Sequence, residues 1–183
     1  MDLAYPDPPL VDLVVRLRTW EMRDLDCVRQ AALDPRIPAG TSVPAAFSAS
    51  EGAAFIERQQ RRIEDDEGVS LAVAELHTDL AVGLVWLPRR PQHQVFGLGY
   101  WIVPGARNRG LGTGAVKLAS HWAIRALGAA RVEAWVEREN EPSQRLLSSA
   151  GFTREGVLRA FLRIGDQQVD AVVFSRTLDD LNS

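Results

Sequence analysis

Apolar and polar positions alternate along residues 11–17, the two-residue period of a half-buried strand. The period then lengthens. Over residues 22–33, Leu25, Val28 and Ala32 fall on one helical face, and Asp34-Pro35 ends the segment. Residues 36–47 are rich in proline, glycine, serine and threonine and read as a loop. Ser48 or Ser50 can cap a second helix running through Phe55, Ile56 and Gln59 towards Asp65. Three β-type runs follow, at residues 69–76, 81–87 and 95–103, the first two joined by the polar turn His77-Thr78-Asp79.

Residues 111–127 return to the helical period, with Val116, Ala119, Trp122, Ala123 and Ala126 on one stripe and Gly128 as the stop. A strand at 131–136 and a short helix at 142–150, ended by Gly151, come next. Strands at 153–161 and 169–175 flank a Gly165-Asp166 turn. Ahead of all this, Pro6, Pro8 and Pro9 make residues 1–10 an extended tail, which leaves 11–183 as one domain. The order β-α-α-β-β-β-α-β-α-β-β predicts an α/β (α+β) fold. Its expected form is a mixed, mostly antiparallel seven-stranded sheet with about four helices on both faces.

Composition narrows the function. With 183 residues, 46% apolar and 25% charged, the chain suits one globular domain and excludes a disordered or collagen-like protein. No apolar run reaches the roughly 20 residues of a membrane helix, and the first residues lack a basic leader and an apolar signal core. The single cysteine, Cys27, excludes internal disulfides and a cysteine-based zinc site and suits a small core residue. His77, His93 and His121 have no ligand spacing, so no metal is expected. These features place the protein in the cytoplasm and off the membrane. The net charge is −3, and bases cluster only at Arg61-Arg62 and Arg89-Arg90, which argues against a nucleic-acid partner.

The chemistry concentrates between Tyr100 and Gly114, where a strand runs through a tight turn into a helix. Gly110, Gly112 and Gly114 occupy the turn and helix start, and Arg107 and Arg109 flank them. Backbone N–H groups at a helix start lack internal partners and favour an anion, and small residues let a phosphate sit against the backbone. Two common phosphate loops are excluded. Gly105 to Gly110 is followed by Leu111 where a P-loop needs lysine, and the glycine spacing is not that of a dinucleotide fold. A turn that needs glycine only for its backbone angles is the alternative.

Arg107-x-x-Gly110-x-Gly112 resembles the Arg/Gln-x-x-Gly-x-Gly/Ala motif of the GNAT acetyltransferase superfamily, which binds the pyrophosphate of acetyl-coenzyme A. Asn140-Glu-Pro-Ser143, followed by Leu146-Leu147 and Ala150-Gly151-Phe152, is similar to a segment of the branch containing the ribosomal-protein N-terminal acetyltransferases. Gly99-Tyr-Trp-Ile102 and Asp170 extend the match, which spans residues 11–177. The resemblance implies that Tyr100, Ile102 and Val103 bond the pantetheine arm along a splayed strand. It also implies that the amides from Arg109 through Gly110, Leu111, Gly112, Thr113, Gly114 and Ala115 hold the pyrophosphate. Asn140 would bond the pantetheine arm, and Ser143 would stand beside the thioester sulfur as a proton donor. The N–H of Tyr100 or Ile102 would stabilise the oxyanion.

The chain departs from that pattern in three places. Leu147 stands where many members carry a tyrosine acid, Trp135 where a carboxylate base often stands, and Gly97 where the nearer branch often has glutamate. The base is therefore unassigned, with Glu133 and Glu137 as candidates. Trp101 and loop 36–47 are candidates for the acceptor wall. The function implied is an acyl-CoA-dependent N-acyltransferase that moves acetyl from acetyl-CoA to a primary amine by direct attack in a ternary complex. The acceptor is a protein or peptide N-terminus or a small-molecule amine, and assembly as a homodimer is left open. The alternatives are a non-catalytic acyl-CoA sensor or scaffold, and a succinyl or other acyl transferase on the same fold.

Overall fold

The computed structural model describes residues 3–182 and arranges nine strands, among the described residues, in two sheets. Strands β1 (Leu10–Val11), β2 (Val15–Arg18), β3 (Gly68–Glu75), β4 (Ala81–Pro88) and β6 (Gly99–Ile102) form an antiparallel sheet in the order β1-β2-β3-β4-β6. The second sheet joins β5 (Val95–Gly97), β7 (Arg131–Glu137), β9 (Gln167–Thr177) and β8 (Thr153–Ile164) in the order β5-β7-β9-β8. Only β5 and β7 run parallel. The mixed, mostly antiparallel α/β architecture is the expected one. The single seven-stranded sheet is not, because two of the expected strands each split.

Residues 11–17 split because Asp12 turns the chain: its Oδ1 accepts the N–H groups of Val14 at 2.9 Å and Val15 at 3.3 Å. The run 95–103 splits at Leu98, so that β5 and β6 belong to different sheets. Residues 22–33 form a 3-10 turn at Met22–Asp24 followed by helix α1 (Leu25–Ala32). The expected loop at 36–47 instead begins with a short helix, α2 (Arg36–Gly40). Asp34 starts it by accepting the Arg36 N–H at 3.1 Å. Helix α3 (Ala49–Arg61) takes Ser48 as its cap, whose Oγ accepts the Glu51 N–H at 3.1 Å. Helices α4 (Leu111–Arg125) and α5 (Glu141–Ser149) lie close to their expected bounds, and a terminal turn, α6 (Asp179–Asn182), is additional.

Strand β3 is buried along almost its whole length, because α3 packs on it from one side and α4 from the other. Val116, Ala119 and Ala123 of α4 are fully buried against the sheets. Under α3, Trp20 meets Phe55 edge-on at 5.5 Å and Trp101 lies 6.2 Å from Trp20. Trp101 is therefore core, not acceptor wall, since strand alternation turns it away from its neighbours Tyr100 and Ile102. Cys27 is buried on α1.

Candidate active site

The break at Leu98 opens a cleft. The Leu98 N–H donates to the Glu133 carbonyl at 2.7 Å, tying the chain to β7. From Gly99 onward the partner is β4, with Tyr100 opposite Val85 and Ile102 opposite Gly83. The Val103 N–H donates to the Val82 carbonyl at 2.9 Å. Backbone groups alternate along an antiparallel strand, so Val103, Trp101 and Gly99 bond β4, while Tyr100 and Ile102 direct theirs away from it, to the β7 side. The Ile102 carbonyl accepts Arg107 Nε at 2.9 Å, as that orientation requires. The expectation that Val103 offers its backbone to a ligand is corrected here, because its N–H is committed to Val82.

Helix α4 begins beside this open edge. Gly110 is its N-cap in the left-handed region at φ +77°, where glycine is the favoured residue, and no side chain caps the helix. The Gly114 N–H donates to the Gly110 carbonyl at 2.9 Å. The amides of Leu111, Gly112 and Thr113 come before that first helical bond and point outward, uncapped, at the positive end of the helix, the arrangement the expected cradle needs. The expected cradle is thus narrower than the sequence implied, since Gly114 and Ala115 spend their amides inside the helix. A Cβ on Gly112 would lie 2.9 Å from Leu146 Cδ1, so this glycine lets α5 approach the cradle.

The two flanking arginines have other partners. Arg107 Nη2 donates to Asp34 Oδ2 at 2.6 Å, and Arg109 Nη1 meets Glu75 Oε1 at 2.5 Å. Burial would raise the Asp34 pKa, but the Arg107 guanidinium and the Arg36 N–H outweigh it and hold the carboxyl below its usual range. Arg107 therefore braces the start of α2 against the end of β6, and both flanking arginines carry an acidic partner.

Helix α5 brings the remaining motif residues to the same place. Asn140 is its N-cap, with Oδ1 accepting the Ser143 N–H at 3.2 Å. The Tyr100 hydroxyl donates to the Ser143 carbonyl at 3.4 Å. Burial pushes the Tyr100 phenol up from its ordinary value, with the contact to Ser143 opposing. The Ser143 hydroxyl is half-buried beside the Tyr100 phenol. Leu147 is fully buried in the core. Asp170 supports the neighbourhood by accepting the Ala160 N–H at 2.9 Å, with Arg138 3.5 Å away.

On β7, Glu133 and Glu137 share a face with Trp135. Glu133 is held between two guanidinium groups, Arg90 at 3.5 Å and Arg131 at 3.1 Å. Among the described residues no cluster of three or more histidine, cysteine, aspartate or glutamate side chains could hold a metal, and no helix is long and apolar enough to cross a membrane. Sequence reasoning missed the Tyr100 phenol, having singled out only its backbone. Strand alternation against the apolar Trp101 was the available signal.

A family model described as an acetyltransferase (GNAT) domain matches residues 15–153. The chain is 32% identical over 124 residues to the probable N-acetyltransferase YjcK of Bacillus subtilis, covering 64% of this chain and 68% of that one. It is 25% identical over 160 residues to the uncharacterized N-acetyltransferase p20 of Bacillus licheniformis, covering 87% and 90%. Among solved structures, Mycobacterium smegmatis RimJ in complex with CoA-disulfide shares the fold at a TM-score of 0.82 and 20% identity, over 96% of this chain and 88% of that one.

Proposed function

The chain belongs to the GNAT acetyltransferase family, and we propose that it transfers acetyl from acetyl-CoA to a primary amine by direct attack in a ternary complex. One observation carries this reading: the Tyr100 backbone and the Ile102 N–H turn away from β4 towards the gap between the sheets, which ends at three uncapped amides, Leu111 to Thr113. Those uncapped amides suit a pyrophosphate, and the space beside the Cα of Gly110 at their start is open. The donor supplies a thioester carbon that an uncharged amine can attack.

The protein's own groups do the rest. The N–H of Tyr100 or Ile102 stabilises the developing oxyanion, an effect worth roughly 3–4 kcal/mol in other enzymes. Ser143 gives its hydroxyl proton to the departing sulfur and is reprotonated by the proton that the attacking amine sheds, relayed through water. Asn140 keeps its amide NH2 to donate to the donor's arm, since only Oδ1 is used in the cap. Cys27, the only cysteine, is buried and its thiol is pushed up by burial, so it is unsuited to hold the acyl group, and this favours direct transfer. A peptide α-amine with a pKa near 8 reaches the neutral form more easily than lysine at about 10.4, which favours an N-terminus as acceptor. The reaction belongs in the cytoplasm, where a lone thiol stays reduced.

Thiol release from acetyl-CoA with a panel of amines tests the proposal. Turnover with at least one amine is expected. Tight binding of acetyl-CoA by calorimetry with no release for any amine would overturn it in favour of a non-catalytic acyl-CoA binder.

A further inference from the structure

A cavity of about 590 Å³ lies on the β5–β7 face away from α4, lined by Arg90, Arg131, Glu133, Trp135 and Phe161 among others. Val132, Ala134 and Val136 of β7 are buried on the opposite face. Glu133 lines this cavity, and its carbonyl binds the N–H of Leu98, the residue at which β5 and β6 part. Trp135 is the next residue of that face, and Phe161 of β8 meets it edge-on at 4.7 Å. Volume and aromatic walls suit a small ligand or one side chain.

The two arginines of this cavity are provided for very differently. Arg131 makes a bidentate pair with Glu155, at 2.6 and 2.7 Å, and also reaches Glu133. Among the described residues Arg90 has one ionic partner, a share of Glu133 at 3.5 Å, and its buried Nε makes no hydrogen bond to any of them. Its guanidinium carbon lies over the Trp135 ring, 3.7 Å from the centroid. Its backbone is fixed to β5 through the Val95 carbonyl at 3.0 Å. Burial lowers its pKa, with Glu133 opposing, which marks a cation short of negative partners. Gly97 makes room for it, since a Cβ there would lie 2.8 Å from Arg90 Nη2. Arg90 thus fills the space where a side chain at position 97 would stand.

We propose that Arg90 is an anion-binding residue of the acceptor site, and that the acceptor is a primary amine that also carries a carboxylate. The carboxylate pairs with the Arg90 guanidinium, and the acceptor's apolar part lies along Trp135 and Phe161. The amine then points towards Leu98 and the cleft. This rests on the transferase reading above and adds the acceptor's chemical class. A free amino acid and an acidic peptide share the chemistry.

Calorimetry with 3-phenylpropionate, which has no amine, reads the site without turnover. The acid should bind, Arg90→Gln should weaken it roughly tenfold or more, and 3-phenylpropionamide should bind poorly to both proteins. Equal binding of acid and amide to the wild-type protein, or no binding of either, overturns the proposal even if Arg90→Gln fails to fold. Thiol release with phenylalanine against phenylalaninamide, and with Ala-Glu against Ala-Gln peptides amidated at the C-terminus, separates the free amino acid from the peptide. The preferred acid should lose its KM advantage in Arg90→Gln, with the KM for acetyl-CoA unchanged. Carboxylate binding with no turnover of any amine would uphold the anion site and count against the transferase reading.

Discussion

The hydroxyl of Tyr100 donates to the carbonyl of Ser143 across 3.4 Å, joining the open strand β6 to the first turn of α5. This contact spans the two motifs that the sequence placed 43 residues apart. It fixes where the Ser143 side chain starts. Tyr100→Phe should therefore lower kcat several-fold and cost about 0.5–1.5 kcal/mol of stability, with little change in the KM for acetyl-CoA. Steady-state kinetics alongside thermal melts would read both effects.

Asn140, not Ser143, caps α5, which separates catalysis from stability at this helix. Ser143→Ala should reduce kcat by a factor of roughly 10²–10⁴ and leave the melting temperature nearly unchanged. Asn140→Ala should cost about 1 kcal/mol of stability through loss of the cap. A Ser143→Ala protein with near-normal kcat would show that water protonates the sulfur.

Gly112 sits in the amide cradle with Leu146 close by. Gly112→Val should weaken acetyl-CoA binding tenfold or more, about 1.4 kcal/mol, in calorimetry on a folded protein. Gly105→Ala is the matched control, because nothing lies within 4 Å of a Cβ there and its φ is not positive. Equal affinity in the two variants would remove the cradle assignment.

Arg107 is the partner of the buried Asp34 carboxylate. Arg107→Leu would leave that charge only the more distant Arg36 guanidinium, 3.6 Å away, and should destabilise the fold by about 2 kcal/mol, the partial exposure of Arg107 and the remaining arginine keeping the cost below that of a fully buried pair. Chemical denaturation would measure it, and Asp34→Asn in the same background should recover part of the loss.

Glu155 gives a pH signature. Arg131, and then the Ser175 hydroxyl, lower its pKa from the ordinary glutamate value to about 2. A folded-state pKa below the unfolded one contributes stability that is complete above about pH 5 and is lost as the pH falls towards 2. Glu155→Gln should therefore melt lower than the wild-type protein at pH 7, with the gap closing on acidification. The side chain is well exposed, so added salt should also shrink the gap.

Local signals made most of the helices and the cradle legible, and non-local ones hid the rest. Gly110 and Gly112 announce a left-handed cap and a close approach, because no other residue type suits both. The split at Leu98 has no local marker, since residues 95–103 read as one continuous strand and only the competition between β4 and β7 divides them. The charge of Arg107 was visible, but its partner Asp34 lies 73 residues away, so the brace between them had no local signal. The Arg90 cavity draws on β5, β7 and β8, and no single stretch of sequence contains it.

Leu98 also sets a parity. Counting from it, odd and even residues of β6 are sorted to opposite faces: Tyr100 towards Ser143, Trp101 towards Trp20 and Phe55. Deleting one residue here would not shorten a loop. It would exchange the two sets, sending an indole into the cleft and a phenol into the core, and would turn the free N–H groups towards β4. Substitution at this point changes packing, whereas a change in length changes which residues the active site contains.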